Sequence, residues 1–404
     1  MKLCVRGGTI IDPVNNFFGT GTIWTDGGVI MGVEVGEHSA GDEYEVIDAR
    51  GKWVAPAFLD LHVHLREPGA EYKEDIESGC RAAKNGGFTK ICCMPNTNPV
   101  TDRKEAVSYI KSKASSVKGV EVFVIGAATK GQMGKELSDI KGMAAEGICA
   151  VSEDGKSVMN SALMRDVMLE CRKFGLTFFS HAEDENLAGL PIGEELIIAR
   201  DILLAKETGC RLHLCHVSTE GSCDLIRKAK ACGINVTAET APHYFTLDER
   251  SVKRDANKKM NPPLRTAKDV AAVKEALKDK TIDVIATDHA PHARFEKEVE
   301  FDNAPNGVIG LETSFAVSYT GLVKTGILTP LELISKMSSR PAEILGIKPT
   351  GISAGQPADI VLIDVDEEYI IDSKDFCSKS VNSPFTGMRV YGRPVILGEK
   401  KEKK

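Results

Sequence analysis

Several histidines and carboxylates of this chain have the types and spacing of metal ligands. In the segment DLHVHLR, which follows an apolar run, His62 and His64 are two residues apart. Residues two apart in an extended strand point to the same face, so both imidazoles can reach one metal ion. Alone this is a weak signal, because two polar side chains at the end of any strand produce the same pattern.

Four later segments place further ligand types at equivalent positions, each at the end of an apolar run. These segments are Ser152-Glu153-Asp154-Gly155, Ser180-His181-Ala182-Glu183, Cys215-His216-Val217-Ser218-Thr219 and Thr287-Asp288-His289-Ala290-Pro291-His292. Imidazole and carboxylate groups suit Zn²⁺, which binds them at about 2.0–2.2 Å and keeps one position for water. Zinc lowers the pKa of that water to about 7, and a further carboxylate must then move its proton. Together these residues predict a hydrolytic zinc site with Asp288 as the acid/base group.

Three other histidines are less clearly assigned by the sequence. His213 lies three residues before His216, so it faces the opposite side of a strand and is predicted to be packed. His243 follows the seventh predicted strand, and its sequence position fits both a site residue and a structural one. His289 is adjacent to Asp288 and should therefore point away from the site.

The elements that must position these residues alternate between strand and helix. Eight apolar strands are predicted, at 54–62, 88–94, 121–127, 147–151, 177–181, 212–216, 234–238 and 282–287. Stretches with helical periodicity follow most of them, for example at 102–117, 161–174, 194–208 and 268–278. This order predicts a (β/α)₈ TIM barrel, whose active sites lie at the carboxyl ends of the strands. A doubly wound open sheet is the alternative, but no glycine-rich phosphate-binding turn follows a strand.

Both ends of the chain differ from its middle, with short apolar stretches separated by glycines. Each end is too small for a stable sheet, so we expect the two to pair into one small β-sandwich domain. The predicted organisation is therefore β domain at 1–54, catalytic barrel at 55–350 and the rest of the β domain at 351–404. The lysine-rich tail, 399–404, is predicted to be solvated.

Composition bounds the function further. The 404 residues are 42% hydrophobic and 27% charged with a net charge of -7, which excludes disordered and fibrous classes and argues against nucleic acid or an anionic membrane as partner. No apolar run approaches the roughly 18 residues of a membrane-spanning helix. The eleven cysteines include no C-x-x-C pair, which predicts reduced thiols and a cytoplasmic protein. We expect a small molecule as substrate.

Several longer motifs identify a family. DLHVHLREPG at 60–69 and GGFT at 86–89 running into MPNTNP at 94–99 are the most specific. KMNPPLR at 259–265, ATDHAPH at 286–292 and GQPADI at 355–360 support them. The chain resembles the amidohydrolase superfamily, and within it the bacterial-type dihydroorotases that carry aspartate where relatives carry a carbamylated lysine. The resemblance extends over nearly the whole chain.

This resemblance implies a metal-bearing barrel and an enzyme that reversibly cyclises N-carbamoyl-L-aspartate to L-dihydroorotate in pyrimidine synthesis. It implies zinc, with one ion held tightly and a second held more weakly. By role, it implies the metal ligands His62, His64, Asp154, His181, His216 and Asp288, the catalytic residue Asp288, and the substrate contacts Arg66, Asn96, Asn261, His292, Asn306 and Gly307. It leaves open a homodimer and a partnership with aspartate transcarbamoylase.

The sequence departs from the family pattern at four places. Ala57-Phe58 replaces Gly-Leu, and the stretch from His181 to His216 is shorter than in most relatives. Asn306 replaces a phenylalanine, which preserves backbone contacts to a substrate but loses apolar packing. Arg340 replaces an asparagine.

Two other functions compete with this interpretation. Hydantoinases and allantoinases are related cyclic-amide hydrolases, but they carry a lysine where this chain has Asp154. A catalytically silent partner of aspartate transcarbamoylase is the second alternative. Silent members lose the paired histidines, whereas His62 and His64 are both present.

Overall fold

The computed structural model describes residues 1–398. The predicted solvated tail, 399–404, and with it the end of the third predicted segment, lie outside the described residues. In the described part of the chain, none of the helices has the length and apolar character needed to cross a bilayer.

Eight parallel strands form the barrel, in the sequential order β6 to β13. Their bounds are β6 Phe58–Val63, β7 Phe88–Cys93, β8 Glu121–Ala127, β9 Ala150–Ser152, β10 Thr177–Ser180, β11 Arg211–Leu214, β12 Val236–Thr240 and β13 Val284–Ile285. A parallel bridge between Val63 and His289 connects the first strand to the segment after the last. This bridge brings the two ends of the sheet together, as the barrel prediction requires.

Helices lie outside the strands, and twelve α-helices occur within residues 1–398. They are α1 Ile76–Asn85, α2 Lys104–Ala114, α3 Ile140–Ala145, α4 Ser161–Lys173, α5 Pro191–Thr208, α6 Glu220–Ala231, α7 Pro242–Thr246, α8 Ala267–Lys278, α9 Arg294–Lys297, α10 Ser314–Ser318, α11 Pro330–Met337 and α12 Ser339–Leu345. Several begin at a side-chain cap, such as Thr266 before α8, whose hydroxyl accepts from the Asp269 backbone N–H. Such caps satisfy otherwise unpaired N–H groups and fix where a helix begins.

The two chain ends pair as expected, in one seven-stranded sheet. Its strands are β1 Lys2–Asp12, β2 Phe17–Asp26, β3 Val29–Val35, β4 Glu45–Asp48, β5 Trp53–Pro56, β14 Ile360–Ile370 and β15 Arg389–Ile396. Strand β14 joins the C-terminal pair to β5, and β1 pairs with β2, β4 and β5. The exact domain boundaries stay a prediction.

The predicted strand at 54–62 is two strands that belong to different sheets. Pro56 ends β5, which pairs with β14, whereas Phe58 begins β6 in the barrel. At Ala57, between them, the backbone N–H donates to the Asp359 carbonyl oxygen. Both strands are largely apolar and buried. Neither the hydrophobic periodicity nor the composition of the sequence therefore indicates where one sheet ends and the other begins.

A β-bulge shapes the functional end of β6. The pairing of β6 with β7 shifts register between Asp60 and Val63. Leu59 and Leu61 pack in an inner cluster with residues of the other barrel strands. Because a bulge inserts an extra residue and redirects the chain after it, His62 also turns toward the barrel axis, where its ring faces ligands from other strands.

Candidate metal centre

The six predicted metal ligands meet at the carboxyl end of the barrel. His62 Nε2 lies 3.3 Å from Asp154 Oδ1 and 3.4 Å from Asp288 Oδ1. His64 Nε2 lies 3.1 Å from Asp288 Oδ1 and 3.5 Å from Asp154 Oδ2. His62 lies on β6, His64 directly follows it, and Asp154 and Asp288 follow β9 and β13, so the parallel barrel brings all four to one face.

A second pair of histidines approaches the same aspartate from the other side. His181 Nδ1 lies 3.4 Å, and His216 Nε2 3.7 Å, from Asp154 Oδ1. The two ring nitrogens are 2.9 Å apart. Asp154 therefore stands between the two histidine pairs, with Oδ2 toward His64 and Oδ1 shared among His62, His181 and His216.

These residues fit a metal ion. Ligands at about 2.0–2.2 Å around a tetrahedral zinc lie roughly 3.3–3.6 Å from one another, which matches most of the separations given above. His62 Nε2 and Asp154 Oδ1 are buried and make no hydrogen bond within the described residues, although they lie close together. Buried polar atoms without partners are costly, and a cation bound between them would remove that cost.

The charge state of Asp154 suits cation binding. Burial disfavours its ionised form, but the facing imidazoles, His62 foremost, lower the pKa of the carboxyl well below its ordinary value. Burial also opposes protonation of His62, yet the surrounding carboxylates, Asp154 foremost, raise the pKa of that ring. The cluster thus holds anionic oxygens against imidazole nitrogens, the donor set typical of zinc.

Strained backbone accompanies the site. His216 has φ 37° and Asp288 φ 49°, both in the left-handed region that side chains disfavour. Arg66, beside the cluster, has φ 61°. Such conformations cost about 1–3 kcal/mol each and concentrate where a side chain must be held in one direction.

A buried carboxylate that the sequence analysis did not identify orients His62. Glu239 Oε1 accepts from His62 Nδ1 at 2.6 Å, and its Oε2 accepts from His213 Nε2 at 3.0 Å. His213 also contacts Thr237 Oγ1 at 2.8 Å, so it is packed, as expected. A hydrogen bond at Nδ1 fixes the tautomer that leaves Nε2 free for a metal. The sequence does contain a signal for this contact: a glutamate lies within the buried strand β12, and a buried charge needs a partner.

A cavity of about 220 Å³ opens onto the cluster. It is lined by every predicted site residue except His62, which lies fully buried beneath it, and also by Gly155 and Ala290. The volume suits a small ring, and the wall contains one arginine. At Arg66, Nε donates to the Pro291 carbonyl oxygen at 3.1 Å, while the terminal nitrogens make no hydrogen bond within residues 1–398. Those two nitrogens are free to form a forked contact with a carboxylate.

Asn96 contacts a predicted metal ligand. Its Oδ1 accepts from His64 Nδ1 at 2.8 Å, which orients that ring as Glu239 orients His62. The amide nitrogen of Asn96 points toward Gly155 at the cavity wall. Asn96 can therefore position a metal ligand and still donate to a substrate, two roles of which the sequence predicts only the second.

His292 hydrogen bonds to protein groups through both ring nitrogens. Nε2 donates to the Asn306 carbonyl oxygen at 2.8 Å, and Nδ1 lies 3.3 Å from Lys73 Nζ. Burial, followed by the charges of Arg66 and Lys73, lowers the pKa of His292 to about 3. The neutral ring has one N–H, and that N–H goes to Asn306. His292 thus holds the loop that carries Asn306 and Gly307, and its contact with a substrate stays a prediction.

Gly307 occupies a position that only glycine fits. Its φ is +132°, and a Cβ there would lie 2.9 Å from both the Ala290 oxygen and the Ala290 Cβ. Its N–H donates to the Lys259 carbonyl oxygen at 3.0 Å, and its carbonyl oxygen accepts from Asn382 Nδ2 at 3.1 Å. The backbone of Gly307 thus has protein partners, while the exposed side chain of Asn306 lies at the rim.

Asn261 approaches the cavity from the connection between β12 and α8. Its Nδ2 donates to Glu183 Oε2 at 2.7 Å, and the same oxygen lies 3.6 Å from His181 Nε2. The other oxygen of Glu183 accepts from the Gly189 backbone N–H at 3.0 Å. Glu183, which the sequence analysis did not single out, therefore connects the shortened loop after β10 to both a predicted ligand and a predicted substrate contact.

Neither of the remaining histidines joins the cluster. His243 is buried against the Tyr244 ring, and its Nε2 has no hydrogen-bond partner within the described residues. His289 points away, as expected, and its Nε2 lies 3.4 Å from Glu74 Oε2.

Comparison with known proteins identifies the family. The sequence model of the amidohydrolase family matches residues 53–396. The chain belongs to the amidohydrolase family. Members of this family depend on bound metal, in keeping with the cluster of histidine and aspartate ligands.

The chain is also similar to curated amidohydrolases over nearly its full length. The dihydroorotase of Pelotomaculum thermopropionicum is 48% identical over 414 aligned residues, which cover 98% of this chain and 96% of that protein. The dihydroorotase of Ruminiclostridium cellulolyticum is 46% identical, with coverage of 98% and 96%.

Solved amidohydrolase structures share the fold. The L-hydantoinase (dihydropyrimidinase) of Arthrobacter aurescens superposes with a TM-score of 0.89 at 26% identity, covering 100% of this chain and 97% of that one. The dihydropyrimidinase of Brevibacillus agri gives 0.88 at 23% identity, covering 98% and 94%. The barrel with a separate sheet from both chain ends is therefore the architecture of the family.

Proposed function

We propose that this chain is a zinc-dependent dihydroorotase, which interconverts N-carbamoyl-L-aspartate and L-dihydroorotate in pyrimidine nucleotide synthesis. The observation that carries the proposal is the guanidinium of Arg66 in the wall of a cavity that also contains the metal-ligand cluster. The substrate combines a ring amide, on which hydrolysis takes place, with a carboxylate, and this cavity offers a group for each. The dihydroorotases that are 46–48% identical over nearly the whole chain support the same function.

Six residues would hold zinc. His62, His64 and Asp154 would bind one ion tightly, with Asp288 beside it, and His181 and His216 a second ion more weakly. Bound zinc polarises a carbonyl oxygen and makes water acidic enough to supply hydroxide at neutral pH. Asp154 already provides a carboxylate between the histidine pairs, the role that a carbamylated lysine has in relatives.

Asp288 is the residue that moves protons. Its Oδ1 faces His62 and His64, and although burial opposes ionisation, the neighbouring imidazoles, His62 foremost, lower the pKa of Asp288. It is thus ionised and able to act as a base. In ring opening, Asp288 accepts the proton of the attacking water and returns it to the leaving ring nitrogen. In ring closure, the same carboxylate removes the proton of the ureido nitrogen as that nitrogen attacks the side-chain carboxyl carbon of the substrate, and it passes the proton to the oxygen that leaves as water.

The chain's own residues orient the substrate. Arg66 offers two terminal nitrogens to the carboxylate, a pairing that favours a fixed, planar contact. The free amide nitrogen of Asn96 and the amide of Asn261 lie on the same cavity wall and supply neutral hydrogen bonds. Asn306, at the rim, lies beside the mouth of the cavity.

A hydantoinase is the second candidate, because solved hydantoinases share the fold. Two observations favour dihydroorotase over it: Asp154 stands where those relatives carry lysine, and the free guanidinium of Arg66 has no role for a ring without a carboxylate. Eleven cysteines without a C-x-x-C pair suit the cytoplasm, where we expect the enzyme to act. Assembly into a homodimer and binding to aspartate transcarbamoylase are both compatible with this function.

Arg66→Ala tests how the substrate is recognised. We expect it to weaken dihydroorotate binding roughly 10- to 100-fold, because a charge-assisted hydrogen bond contributes about 1.5–3 kcal/mol. Binding of dihydrouracil, the same ring without the carboxylate, should change little. Binding constants for both ligands, measured by calorimetry, give the comparison.

Arg66→Lys is the matched control, since it keeps the charge but loses the planar fork. It should fall between the wild-type and alanine proteins for dihydroorotate. Equal losses for dihydroorotate and dihydrouracil would show that Arg66 shapes the loop and does not contact the carboxylate.

A further inference from the structure

A second cavity, here called the basal cavity, lies at the amino-terminal end of the barrel, on the face opposite the metal centre. Asp283 at its wall precedes β13, whereas Asp288 of the metal centre follows that strand. The basal cavity has a volume of about 270 Å³ and is formed where the β1–β2 turn, the end of α8 and the helices α11 and α12 meet.

Three cations line the basal cavity: Lys280, Lys336 and Arg340. Two of them have unused hydrogen-bond donors. Lys336 is only 6% exposed, and its Nζ donates to one acceptor, the Ile282 carbonyl oxygen at 2.7 Å. The ammonium of Lys280 makes no hydrogen bond or ion pair within residues 1–398. An ammonium has three N–H donors, so buried Lys336 keeps two donors without a protein partner, whereas the exposed ammonium of Lys280 meets solvent and is available to a ligand.

One carboxylate in the cavity wall, that of Asp283, already has partners on both oxygens. Asp283 Oδ2 accepts from Lys230 Nζ at 2.6 Å and from the Ala238 backbone N–H at 2.9 Å. Its Oδ1 accepts from Arg340 Nη2 at 2.8 Å and from Nε at 3.2 Å. Arg340, one of the positions at which the sequence departs from the family pattern, therefore neutralises Asp283 and keeps that carboxylate from pairing with Lys336.

The other acidic residue in the wall, Glu332, caps a helix and also interacts with the lysines. Burial opposes ionisation of its carboxyl, but hydrogen bonds from Thr329, followed by the charges of Lys280 and Lys336, lower the pKa of that carboxyl. Glu332 Oε2 accepts from the Thr329 backbone N–H at 2.8 Å and from Thr329 Oγ1 at 2.9 Å, which caps α11. The remaining wall includes Leu277, Leu331 and Pro13. A small pocket with apolar walls and a few convergent polar groups is typical of a ligand site.

We propose that the basal cavity binds a small phosphate-bearing anion, with the phosphate between Lys280 and Lys336 and any organic part against the apolar wall. A phosphate has several strong acceptor oxygens and carries enough charge to balance two ammonium groups. An anion there would satisfy the donors that Lys336 and Lys280 leave open.

Calorimetry on the zinc-loaded protein tests this site, with inorganic phosphate, uridine monophosphate and uridine as probes. We expect phosphate or the monophosphate to bind and uridine, which lacks the phosphate, to bind at least about tenfold more weakly than whichever of them binds. If phosphate binds and the monophosphate does not, the organic part makes no contribution to binding. If the monophosphate binds more tightly than phosphate, the organic part contributes to binding.

Variants separate the basal cavity from the metal centre, where phosphate could also bind. Lys280→Gln and Lys336→Met should each weaken binding at least about tenfold. Lys280 is exposed, so its variant keeps the test valid if Lys336→Met fails to fold. Lys278→Gln removes an equal charge from α8 outside the cavity and should bind like the wild type. Binding unchanged in Lys280→Gln, uridine binding as tight as that of the monophosphate, or no binding to the wild type would each overturn the proposal.

Discussion

Asp288→Asn is expected to lower kcat about 10²- to 10⁴-fold or more in both directions, the range for loss of a general acid–base group. One carboxylate makes both proton transfers, and an amide can neither accept nor return the proton. Asparagine has the same shape and tolerates the left-handed conformation of Asp288, which has φ 49°. The backbone and the rest of the cluster should therefore persist, and steady-state kinetics in each direction measures the loss.

Asp166→Asn provides the control, because Asp166 is an exposed carboxylate on α4. It should keep wild-type kinetics, and thermal melting should show that both variants are folded. If Asp288→Asn retained more than a tenth of the activity, the acid/base assignment would be wrong.

Metal removal is expected to abolish activity, and zinc alone should restore it. Asp154 is a carboxylate as translated, whereas a carbamylated lysine must be made from lysine and carbon dioxide. The apo-enzyme should therefore recover the same activity with or without added bicarbonate. Because the aspartate side chain is shorter than a carbamylated lysine and bridges two ions less readily, elemental analysis should find one tightly bound zinc and a second that is weaker or lost on purification.

Reconstitution in degassed, bicarbonate-free buffer against buffer with bicarbonate makes the comparison. A clear requirement for bicarbonate, or a carbamylated lysine in the electron density of the site, would refute this role of Asp154. Two equally tight zinc ions would contradict the expected difference between the histidine pairs.

The meeting of the histidines and aspartates could be predicted from the sequence, because a parallel barrel brings the carboxyl ends of successive strands to one face; that they bind metal stays a prediction. His181 and His216 lie far from His62 in sequence, yet each ends a parallel strand, and parallel strands end on one face. The rule specifies which residues meet, but not how their side chains turn. The β-bulge in β6 sets the direction of the His62 side chain. The amino-acid sequence of that strand does not indicate where the bulge occurs.

The hydrogen-bonded groups around the cluster were harder to predict. His292 donates to Asn306 because burial, followed by the charges of Arg66 and Lys73, lowers the pKa of the ring, and Lys73, distant in sequence, contacts its other nitrogen. Glu239 and Glu183 act through partners on other strands or loops. Such roles depend on contacts between separate segments, which periodicity and spacing do not describe.

In the fold, too, the order of the elements could be predicted from the sequence, but a contact between separate segments could not. The alternation of strands and helices predicts the barrel, and the glycine-separated ends predict the second sheet. The change of sheet at Ala57 could not be predicted, since β5 and β6 are adjacent, similar in length and both apolar. Only the hydrogen-bond partners of the two strands separate them.

Turnover of a substrate panel by the purified, zinc-loaded protein is the most direct test of the proposed function. L-dihydroorotate, hydantoin, dihydrouracil and allantoin should be compared at equal enzyme concentration, with N-carbamoyl-L-aspartate assayed in the reverse direction. The proposal predicts that kcat/KM for dihydroorotate exceeds that for each neutral ring at least about tenfold, since only dihydroorotate can pair with Arg66, and that N-carbamoyl-L-aspartate is cyclised. Faster turnover of hydantoin, dihydrouracil or allantoin, or no turnover of dihydroorotate by folded protein with zinc bound, would contradict it.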